Sequence, residues 1–570
     1  MPRWKRRTGP EPVGISPEGI VACLMASRGI SHDDMAFRSA SLSSLSDPLL
    51  LGPGADAAAS MLGGCRGKDV AVVGDYDADG ISASVIAKRT VAMLGGRCSV
   101  FLPSRWVHGY GLNDATVAAI LSRFSWRKPY MMLVLDCGSS SEKHVAALRS
   151  AGVGRIAVID HHIIDPATAT RSADAHVNWR ASGHATQLCA AGETMQVCRL
   201  ALSRAGLPWE WMLPFAALAT VGDAVGVTGD NRVIVRNGAD YNRMTDSGSL
   251  GLSFLAMKRC RGGVSQKALA FYVVPRINAA GRMDSPDLAL EFLLEDDSER
   301  AARLLSSIEA VNDERKAVQD RIIRAGVGLV GRDGGQPSFV FLHDPSWNIG
   351  VVCISCSQMV ERYGVPAMMF GTHGGKVKGS GRSIPGMNIK AILDECGGEV
   401  FERWGGHEMA CGAVVRGGMF AEARSRFEAA VVRAGGGVAK VHDPEYDFDI
   451  PPRAVTRELG NALLETMYPY CQSSNPEPVF RVPGAEVRDV VLSKRGVWRH
   501  MEILASKDGE RIPIRMATFV RSGIEDDVTE LKEGDVADLY FSYPQVAHSE
   551  FGFGDDEYAL ELVDAVRIAT

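Results

Sequence analysis

The sequence has no excess of basic residues, which limits how the chain could bind nucleic acid. Its formal net charge is −6 and its sequence pI is about 6.1. Bulk charge therefore gives no argument for a nucleic-acid partner. Such a partner would need a local basic groove, or a metal site that offsets the repulsion of phosphate.

Membrane spans and zinc motifs are also missing from the sequence. No apolar stretch is long enough to cross a bilayer, and the basic opening segment 1–8 is followed by no apolar signal core, so it predicts a mobile tail. The 12 cysteines are scattered, and the close pair Cys353 and Cys356 has no second pair to complete a zinc site. We therefore expect reduced cysteines, a cytoplasmic location and no membrane partner.

The length of the chain predicts several domains. With 570 residues, 46% hydrophobic and 23% charged, it is an ordinary globular chain with too many residues for one core. Apolar runs and turn residues divide it into five parts. These are a helical and loop-rich N-terminal segment (1–68) packed on the next domain, a parallel-sheet α/β domain (69–295), a connecting helix (296–326), a second α/β domain (327–436), and a linker with an all-β domain (437–570).

Three aspartates follow the first buried strand. The apolar run 70–73 ends at Gly74, and Asp75, Asp77 and Asp79 come next at alternate positions. Open α/β sheets place their ligands at the carboxyl ends of strands. Carboxylates this close repel one another unless a cation lies between them, so the stretch predicts a divalent-metal loop. An Asx-rich turn that caps the next helix is the structural alternative.

Further acidic and imidazole groups follow later apolar runs. Asp136 ends the strand predicted at 130–135, His161 and His162 follow the strand at 155–159, and Asp223 follows an apolar helix at 215–221. Parallel strands would bring these groups to one edge of a sheet. Carboxylates and imidazoles without thiolates suit Mn²⁺ or Mg²⁺, and such a set can hold two ions about 4 Å apart. A lone histidine here would more often be a core or capping residue.

Glycine-rich polar segments are candidates for phosphate binding. The segment 275–282 predicts a compact loop with two arginines, and 376–383 and 405–408 combine glycine with arginine, serine or histidine. Arginine forks, hydroxyls and exposed backbone amides suit phosphate. Flexible turns explain Lys376 and Lys378 equally well.

The motifs together resemble the DHH phosphoesterase superfamily, and most of all its RecJ branch, the single-stranded-DNA-specific 5′ to 3′ exonucleases of bacteria. The resemblance covers nearly the whole chain, although the N-terminal segment matches loosely. It rests on segments 75–80, 136–138, 160–162, 222–223, 275–282, 379–383 and 405–407, which occur in the family's order.

The resemblance implies a fold, cofactors and roles for the residues. The fold would be a DHH catalytic domain, a long helix, a DHH-associated domain and a C-terminal OB-fold, with two divalent cations, Mn²⁺ or Mg²⁺. The implied metal ligands are Asp77, Asp79, Asp136, His161 and Asp223, with Asp75 supporting or joining them. His162 would orient the site or contact the scissile phosphate, and His407 would lie beside the reacting phosphate.

The remaining matched residues would contact the substrate. Arg105, Arg276, Ser380 and Arg382 are similar to residues that hold a 5′-terminal phosphate, and Tyr110 could stack on a base. The same motifs contain Asn278, Arg282, Ser383 and Gly406. The chain departs from the family at Asn348, Ile349, Gln358 and 472–474. These departures weaken the expectation for substrate binding and reaction rate, and they leave the expected reaction class unchanged.

Three functions follow from these observations. The first is a metal-dependent exonuclease that removes 5′-mononucleotides from single-stranded DNA in repair or recombination, acting as a monomer with a helicase or single-strand-binding protein as further partners. The second is a phosphodiesterase of short oligonucleotides or small nucleotides, which would need neither the long helix nor the C-terminal domain. The third is an inactive scaffold, which should have lost its acidic ligands first because unpaired clustered carboxylates are costly.

Overall fold

The structure, a computed structural model, describes most of the chain. It covers residues 4–10, 14–124, 128–260, 264–332, 337–436, 444–471, 475–495, 498–507, 510–511, 515–521, 531–543 and 559–568. The departure at 472–474 and the first part of the predicted linker, residues 437–443, lie outside these ranges. The described residues of Arg3–Asn278, Pro286–Leu305 and Pro444–Thr570 form one compact unit, here the first unit. Those of Ala279–Ser285 and Ser306–Asp443 form the second unit.

The N-terminal half carries strands interleaved with helices up to residue 177, and the described elements from there to residue 294 are helices. Its strands are β1 (Lys5–Arg6), β2 (Asp69–Val73), β3 (Arg97–Phe101), β4 (Met131–Leu135), β5 (Ile156–Ile159) and β6 (Ala175–Val177). Its helices are α1 (Pro17–Ser27), α2 (Met35–Ser39), α3 (Pro53–Gly63), α4 (Ala78–Met93), α5 (Asp114–Arg123), α6 (Glu142–Ser150), α7 (Trp179–Ser182), α8 (Ala190–Arg204), α9 (Leu213–Gly222), α10 (Gly229–Gly238), α11 (Tyr241–Thr245), α12 (Leu250–Arg259), α13 (Gln266–Ala268), α14 (Val274–Met283) and α15 (Asp287–Leu294).

A parallel sheet in the order β3-β2-β4-β5-β6 carries the predicted metal loop. Strand β4 is buried along its whole length, as expected for a strand covered by helices on both faces. Because neighbouring strands are parallel, the residues after β2, β4 and β5 lie at one sheet edge. The predicted parallel-sheet α/β fold and its shared edge are therefore confirmed.

The segment 275–282 is a helix, so the predicted compact loop is wrong. It forms most of α14, which continues from a π-helical turn at Leu269–Val273. Pro275 is the second residue of α14 and closely follows the π-helical turn, so it lies within a continuous helical run. Ile277, Ala279 and Ala280 are buried, which gives the helix an apolar face that outweighs the turn signals of proline and glycine.

The long helix and the second α/β region follow. Helix α16 (Ser298–Arg332) extends beyond the predicted 296–326 because Val330 continues its apolar stripe. The next elements are β7 (Val340–His343), α17 (Val352–Tyr363), β8 (Ala367–His373), β9 (Lys376–Arg382), α18 (Ile389–Cys396), β10 (Phe401–His407), β11 (Ala410–Val415) and α19 (Phe420–Arg433). The strands form a mixed sheet in the order β10-β11-β9-β8-β7, so the glycine-rich segments are strands rather than turns.

The C-terminal region is rich in strands, as predicted. Its elements are β12 (Glu445–Tyr446), β13 (Phe448–Asp449), α20 (Arg457–Thr466), β14 (Phe480–Arg495), β15 (Trp498–Lys507), β16 (Glu510–Arg511), β17 (Arg515–Arg521), β18 (Val536–Ser542) and β19 (Ala559–Arg567). Strands β14, β18, β19, β17 and β15 pair in a closed ring, because β14 pairs with both β18 and β15. Closure of this kind suits an OB-fold, and that assignment stays a prediction.

The N-terminal segment is held against this C-terminal region, so the predicted mobile tail is wrong for residues 4–7. Strand β1 pairs in parallel with β12, and Trp4 stacks on Tyr540 with ring centroids 4.1 Å apart. Helix α1 lies in one core cluster with α20 and the barrel, whereas α3 packs on α8 and β6. None of the helices in the described ranges combines the length and apolarity that a bilayer crossing requires.

Candidate metal centre

The predicted ligands come together at the sheet edge in three overlapping groups. In each group, one possible ligand atom per residue lies within 4.8 Å of the others. The groups are Asp75 with Asp77 and Asp136, Asp79 with His161 and Asp223, and Asp136 with His161 and His162. Because Asp136 and His161 are shared between groups, the arrangement could hold more than one ion.

Backbone amides fix the carboxylates of the β2–α4 loop. Asp77 caps α4, and its Oδ1 accepts from the amides of Asp79 and Gly80 at 3.0 and 3.2 Å. Both oxygens of Asp79 accept from the first amides of α8, those of Ala190 and Ala191, at 2.8 and 2.7 Å. Helix amino termini favour negative charge, so both helix starts stabilise this acidic loop. The Asx-turn alternative and the metal loop thus describe the same residues.

Asp136 has an unusual backbone. Its φ is +62°, in the left-handed region that side chains other than glycine seldom adopt. Aspartate and asparagine tolerate this region better than most residues. The turn directly after β4 leaves Asp136 only 3% exposed beside the other carboxylates. Such local strain is typical of functional sites.

His161 is suited to bind a cation directly. Its Nε2 lies 3.4 Å from Asp136 Oδ1 and 3.7 Å from Asp79 Oδ2, with Asp223 Oδ2 also at 3.7 Å. These gaps are too long for hydrogen bonds, and they fit oxygen and nitrogen ligands about 3 Å apart around one shared ion. Burial, with the nearby His162 cation, lowers the pKa of His161 to about 4. The imidazole is therefore neutral at pH 7, as ligation requires.

His162 has the opposite character. Burial lowers its pKa, but the hydrogen bond and charge of Asp160 outweigh burial and raise the pKa to about 9. Its Nδ1 donates to Asp160 Oδ1 at 2.7 Å, and its Nε2 lies 2.8 Å from Tyr110 Oη. Although one geometric group includes His162, both ring nitrogens are engaged and the ring is protonated. A role of His162 toward phosphate, as the sequence implies, stays a prediction.

Several of the clustered carboxyls hold their protons to a higher pH than isolated carboxyls do when no cation is bound. Burial, followed by the charges of neighbouring aspartates, raises the pKa of Asp75 to about 7, of Asp79 to about 6 and of Asp223 to about 8. The pKa of Asp136 rises well above its usual value for the same reasons. A divalent cation would replace these protons and relieve the repulsion, so the residues present fit such an ion.

These pKa shifts predict a pH-dependent stability. The folded chain binds more protons at these carboxyls than the unfolded chain, so the free energy of unfolding without metal should fall as pH rises from about 4 to about 8. Mn²⁺ should reverse this loss, adding about 2.7 kcal/mol at 100 times its Kd. Thermal unfolding at pH 5.5 and 8, with EDTA or MnCl₂, tests this. An equal Mn²⁺ shift at both pH values would contradict it.

The predicted substrate residues of the first unit lie in different settings. Arg105 lies over the Tyr76 ring, 4.6 Å from its centroid, and donates to Tyr76 Oη at 3.0 Å. Tyr110 is 59% exposed while it contacts His162. Asn278 Oδ1 accepts from the Ala78 amide inside the metal loop at 2.8 Å. Arg276 is buried, and its Nη1 donates to the Tyr272 carbonyl.

The other predicted residues belong to the second unit. Arg282 donates to the Gly350 carbonyl and the Cys353 Sγ. The hydroxyl of buried Ser383 donates to the Met387 carbonyl, so it has an internal partner. Ser380 and Arg382 lie on β9, and Gly406 and His407 end β10, where His407 is exposed.

Gly406 has a backbone that requires glycine. Its φ is +140°, and a Cβ there would lie 2.3 Å from the Ala410 carbonyl oxygen. We expect Gly406→Ala to destabilise the second unit by about 1–3 kcal/mol. Gly405→Ala is the matched control, since no atom lies within 4 Å of a Cβ at that position. Urea unfolding of both variants measures the difference, and similar midpoints would rule out the strain.

Sequence reasoning missed the groups that support the ligands. Asp160 is not among the predicted site residues, yet it is 1% exposed and pairs with His162. The amide of Ser139 donates to Asp160 Oδ2 at 2.8 Å. Burial raises the pKa of Asp160, but the His162 hydrogen bond and charge outweigh burial and lower it to about 2. Its place directly before two histidines at a strand end was the available signal.

Comparison with known families agrees with this architecture. The model of the DHH family, N-terminal domain, matches residues 69–220, which include the loop and the Asp136 and His161 turns. The DHHA1 domain model matches residues 336–433. The matched DHHA1 segment lies within the second unit.

Several similar proteins are single-stranded-DNA-specific exonucleases named RecJ. The chain is 29% identical to that of Bacillus subtilis over 63% of this chain and 45% of that protein. It is 30% identical to that of Thermus thermophilus over 78% of this chain and 64% of that protein, and 30% identical to that of Dickeya dadantii over 63% and 65%. The chain spans less than two thirds of the length of each of these three.

Solved structures show the same fold. The crystal structure of RecJ in complex with Mn²⁺ from Thermus thermophilus aligns with a TM-score of 0.77 at 23% identity, covering 100% of this chain and 80% of that one. An exonuclease RecJ bound to manganese aligns with a TM-score of 0.59 at 28% identity, covering 67% of this chain and 96% of that one. The chain therefore contains a DHH domain and a DHHA1 domain, and these similarities together support a RecJ-type DHH protein.

Proposed function

We propose that the chain is a metal-dependent exonuclease that hydrolyses single-stranded DNA from its 5′ end and releases 5′-mononucleotides. One observation carries the proposal: carboxylates and a neutral imidazole form overlapping ligand groups around shared Asp136 and His161. The residues that would hold two divalent cations are Asp75, Asp77, Asp79, Asp136, His161 and Asp223. When bound, such ions polarise phosphoryl oxygens and lower the pKa of the attacking water.

The chain's own residues prepare the site for a phosphodiester. The His162 imidazolium, held by Asp160 and beside Tyr110 Oη, places a positive charge at the rim of an otherwise anionic cluster. Charge-assisted donors of this kind bind phosphate oxygens strongly. The exposed Tyr110 ring adds an aromatic face that can stack on any base. Sequence-independent hydrolysis of a nucleic acid is the reaction that this combination favours.

The preference for a polymer over a small nucleotide rests on the rest of the chain. The relatives named above are exonucleases of single-stranded DNA. The strand-rich C-terminal region, with its closed ring of strands, would be unnecessary for a dinucleotide. Closed barrels of this type often bind single strands.

One assay tests the function and its alternatives. The protein is incubated with Mn²⁺ and with single-stranded, duplex or dinucleotide DNA labelled at the 5′ or the 3′ end. Early release of the 5′ label as a mononucleotide, from single strands alone, is the expected result. Cleavage of dinucleotides alone would identify a small-substrate phosphodiesterase, and binding without cleavage an inactive scaffold.

A further inference from the structure

A buried carboxyl group on the helix that binds Asp79 takes no part in the ligand groups. Glu193 is the fourth residue of α8, the helix whose first amides bind Asp79, and its side chain is 0% exposed. Its Oε1 accepts from the Trp179 amide at 2.6 Å, whereas its Oε2 is buried and has no hydrogen-bond partner among the residues that the structure describes. An acidic side chain is seldom buried this way without a specific reason.

The segment that Glu193 holds contacts the backbone carbonyls of the two histidines. Asn178 Nδ2 donates to the His162 carbonyl at 2.9 Å, and Arg180 Nε donates to the His161 carbonyl at 2.9 Å. Asn178 Nδ2 also lies 3.0 Å from Ser139 Oγ. The segment 178–180 is thus bonded to Glu193 on one side and to both site histidines on the other. A shift of this segment would move the backbone of His161 and His162, and with it the positions of their imidazole rings.

We propose that Glu193 is a positioning residue for the metal centre, which acts on His161 and His162 through the hydrogen-bonded segment 178–180. The proposal rests on the proposed function in so far as that function needs the metal centre. Replacing a residue that holds metal ligands in position commonly changes metal affinity or activity by 10- to 100-fold. An alternative role, filling space in the core, would affect stability alone.

The test compares two Glu193 variants by Mn²⁺ binding, measured by calorimetry without DNA. Glu193→Leu keeps approximate volume and removes the acceptor for the Trp179 amide, so the Mn²⁺ Kd should rise about 10-fold. Glu193→Gln keeps an acceptor oxygen and should bind Mn²⁺ like the wild type. Asp230→Asn is the control, because Asp230 is also buried and bonded, to Ser46 and Gln196, outside the ligand groups.

The possible outcomes separate this proposal from the proposed function. An unchanged Mn²⁺ Kd in folded Glu193→Leu would overturn the positioning role. If that variant fails to fold, Asn178→Ala provides the second route, since it removes the contact with the His162 carbonyl and should weaken Mn²⁺ binding similarly. An unchanged Kd in Asn178→Ala would then overturn the proposal. Because binding is measured without substrate, absence of nuclease activity in the wild type would count against the function and leave this test decisive.

Discussion

Asp136→Asn should lower Mn²⁺-dependent hydrolysis of single-stranded DNA about 1,000-fold, the loss expected when several kcal/mol of metal-based stabilisation disappear. Asp136 belongs to two of the three ligand groups, so its charge is shared by more than one possible ion position. Asparagine is the informative replacement because it tolerates the φ of +62° at this position. A loss of activity can then be assigned to the missing carboxylate rather than to backbone strain.

The controls for this variant use the same substrate and single-turnover rates. Asp223→Asn, in one ligand group only and 31% exposed, should lose less activity and partly recover at high Mn²⁺. Asp114→Asn should match the wild type, because Asp114 is an exposed partner of Lys143. Normal Mn²⁺-dependent activity in Asp136→Asn would refute the metal centre as the site of chemistry.

The metal centre could be predicted because its signals are local. The runs before Asp75, Asp136 and Asp160 are apolar and short, and a parallel sheet necessarily gathers the ends of such strands. The sequence therefore predicts which residues meet. It does not predict their protonation, since the opposite pKa shifts of His161 and His162 depend on burial and on which of the two contacts Asp160.

Other features of the fold depend on tertiary contacts that cannot be recognised from a short stretch of sequence. Pro275 and Gly281 are turn signals, and only the burial of Ile277 and Ala280 explains the helix there. From the sequence alone, Glu193 looks like an ordinary polar residue in the first turn of a helix. Only the structure shows that it accepts a hydrogen bond from the Trp179 amide. Local propensity fails at these positions because tertiary packing overrides it.

The attachment of the N-terminal segment to the C-terminal region is a further case of long-range pairing. Asp447 lies between β12 and β13, in a stretch that the sequence assigned to a linker, and its side chain is 1% exposed. It pairs with Arg28 at 3.2 Å and with Arg7 at 2.8 Å, and its Oδ2 accepts from the Val479 amide at 2.9 Å. Three chain segments thus meet at one buried carboxylate.

Asp447→Ala should therefore lower the free energy of unfolding of the first unit by about 3–5 kcal/mol, because it leaves the buried Arg28 guanidinium without its counter-ion. Asp449→Ala is the matched control two residues away. Its carboxylate is 43% exposed and pairs with Arg481, so its loss should cost about 1 kcal/mol or less. Urea unfolding gives both values, and hydrogen exchange should show faster opening around 444–449 and 476–482 in Asp447→Ala alone. Equal destabilisation by the two variants would show that the buried pair of Asp447 and Arg28 does not hold the N-terminal segment to the C-terminal region.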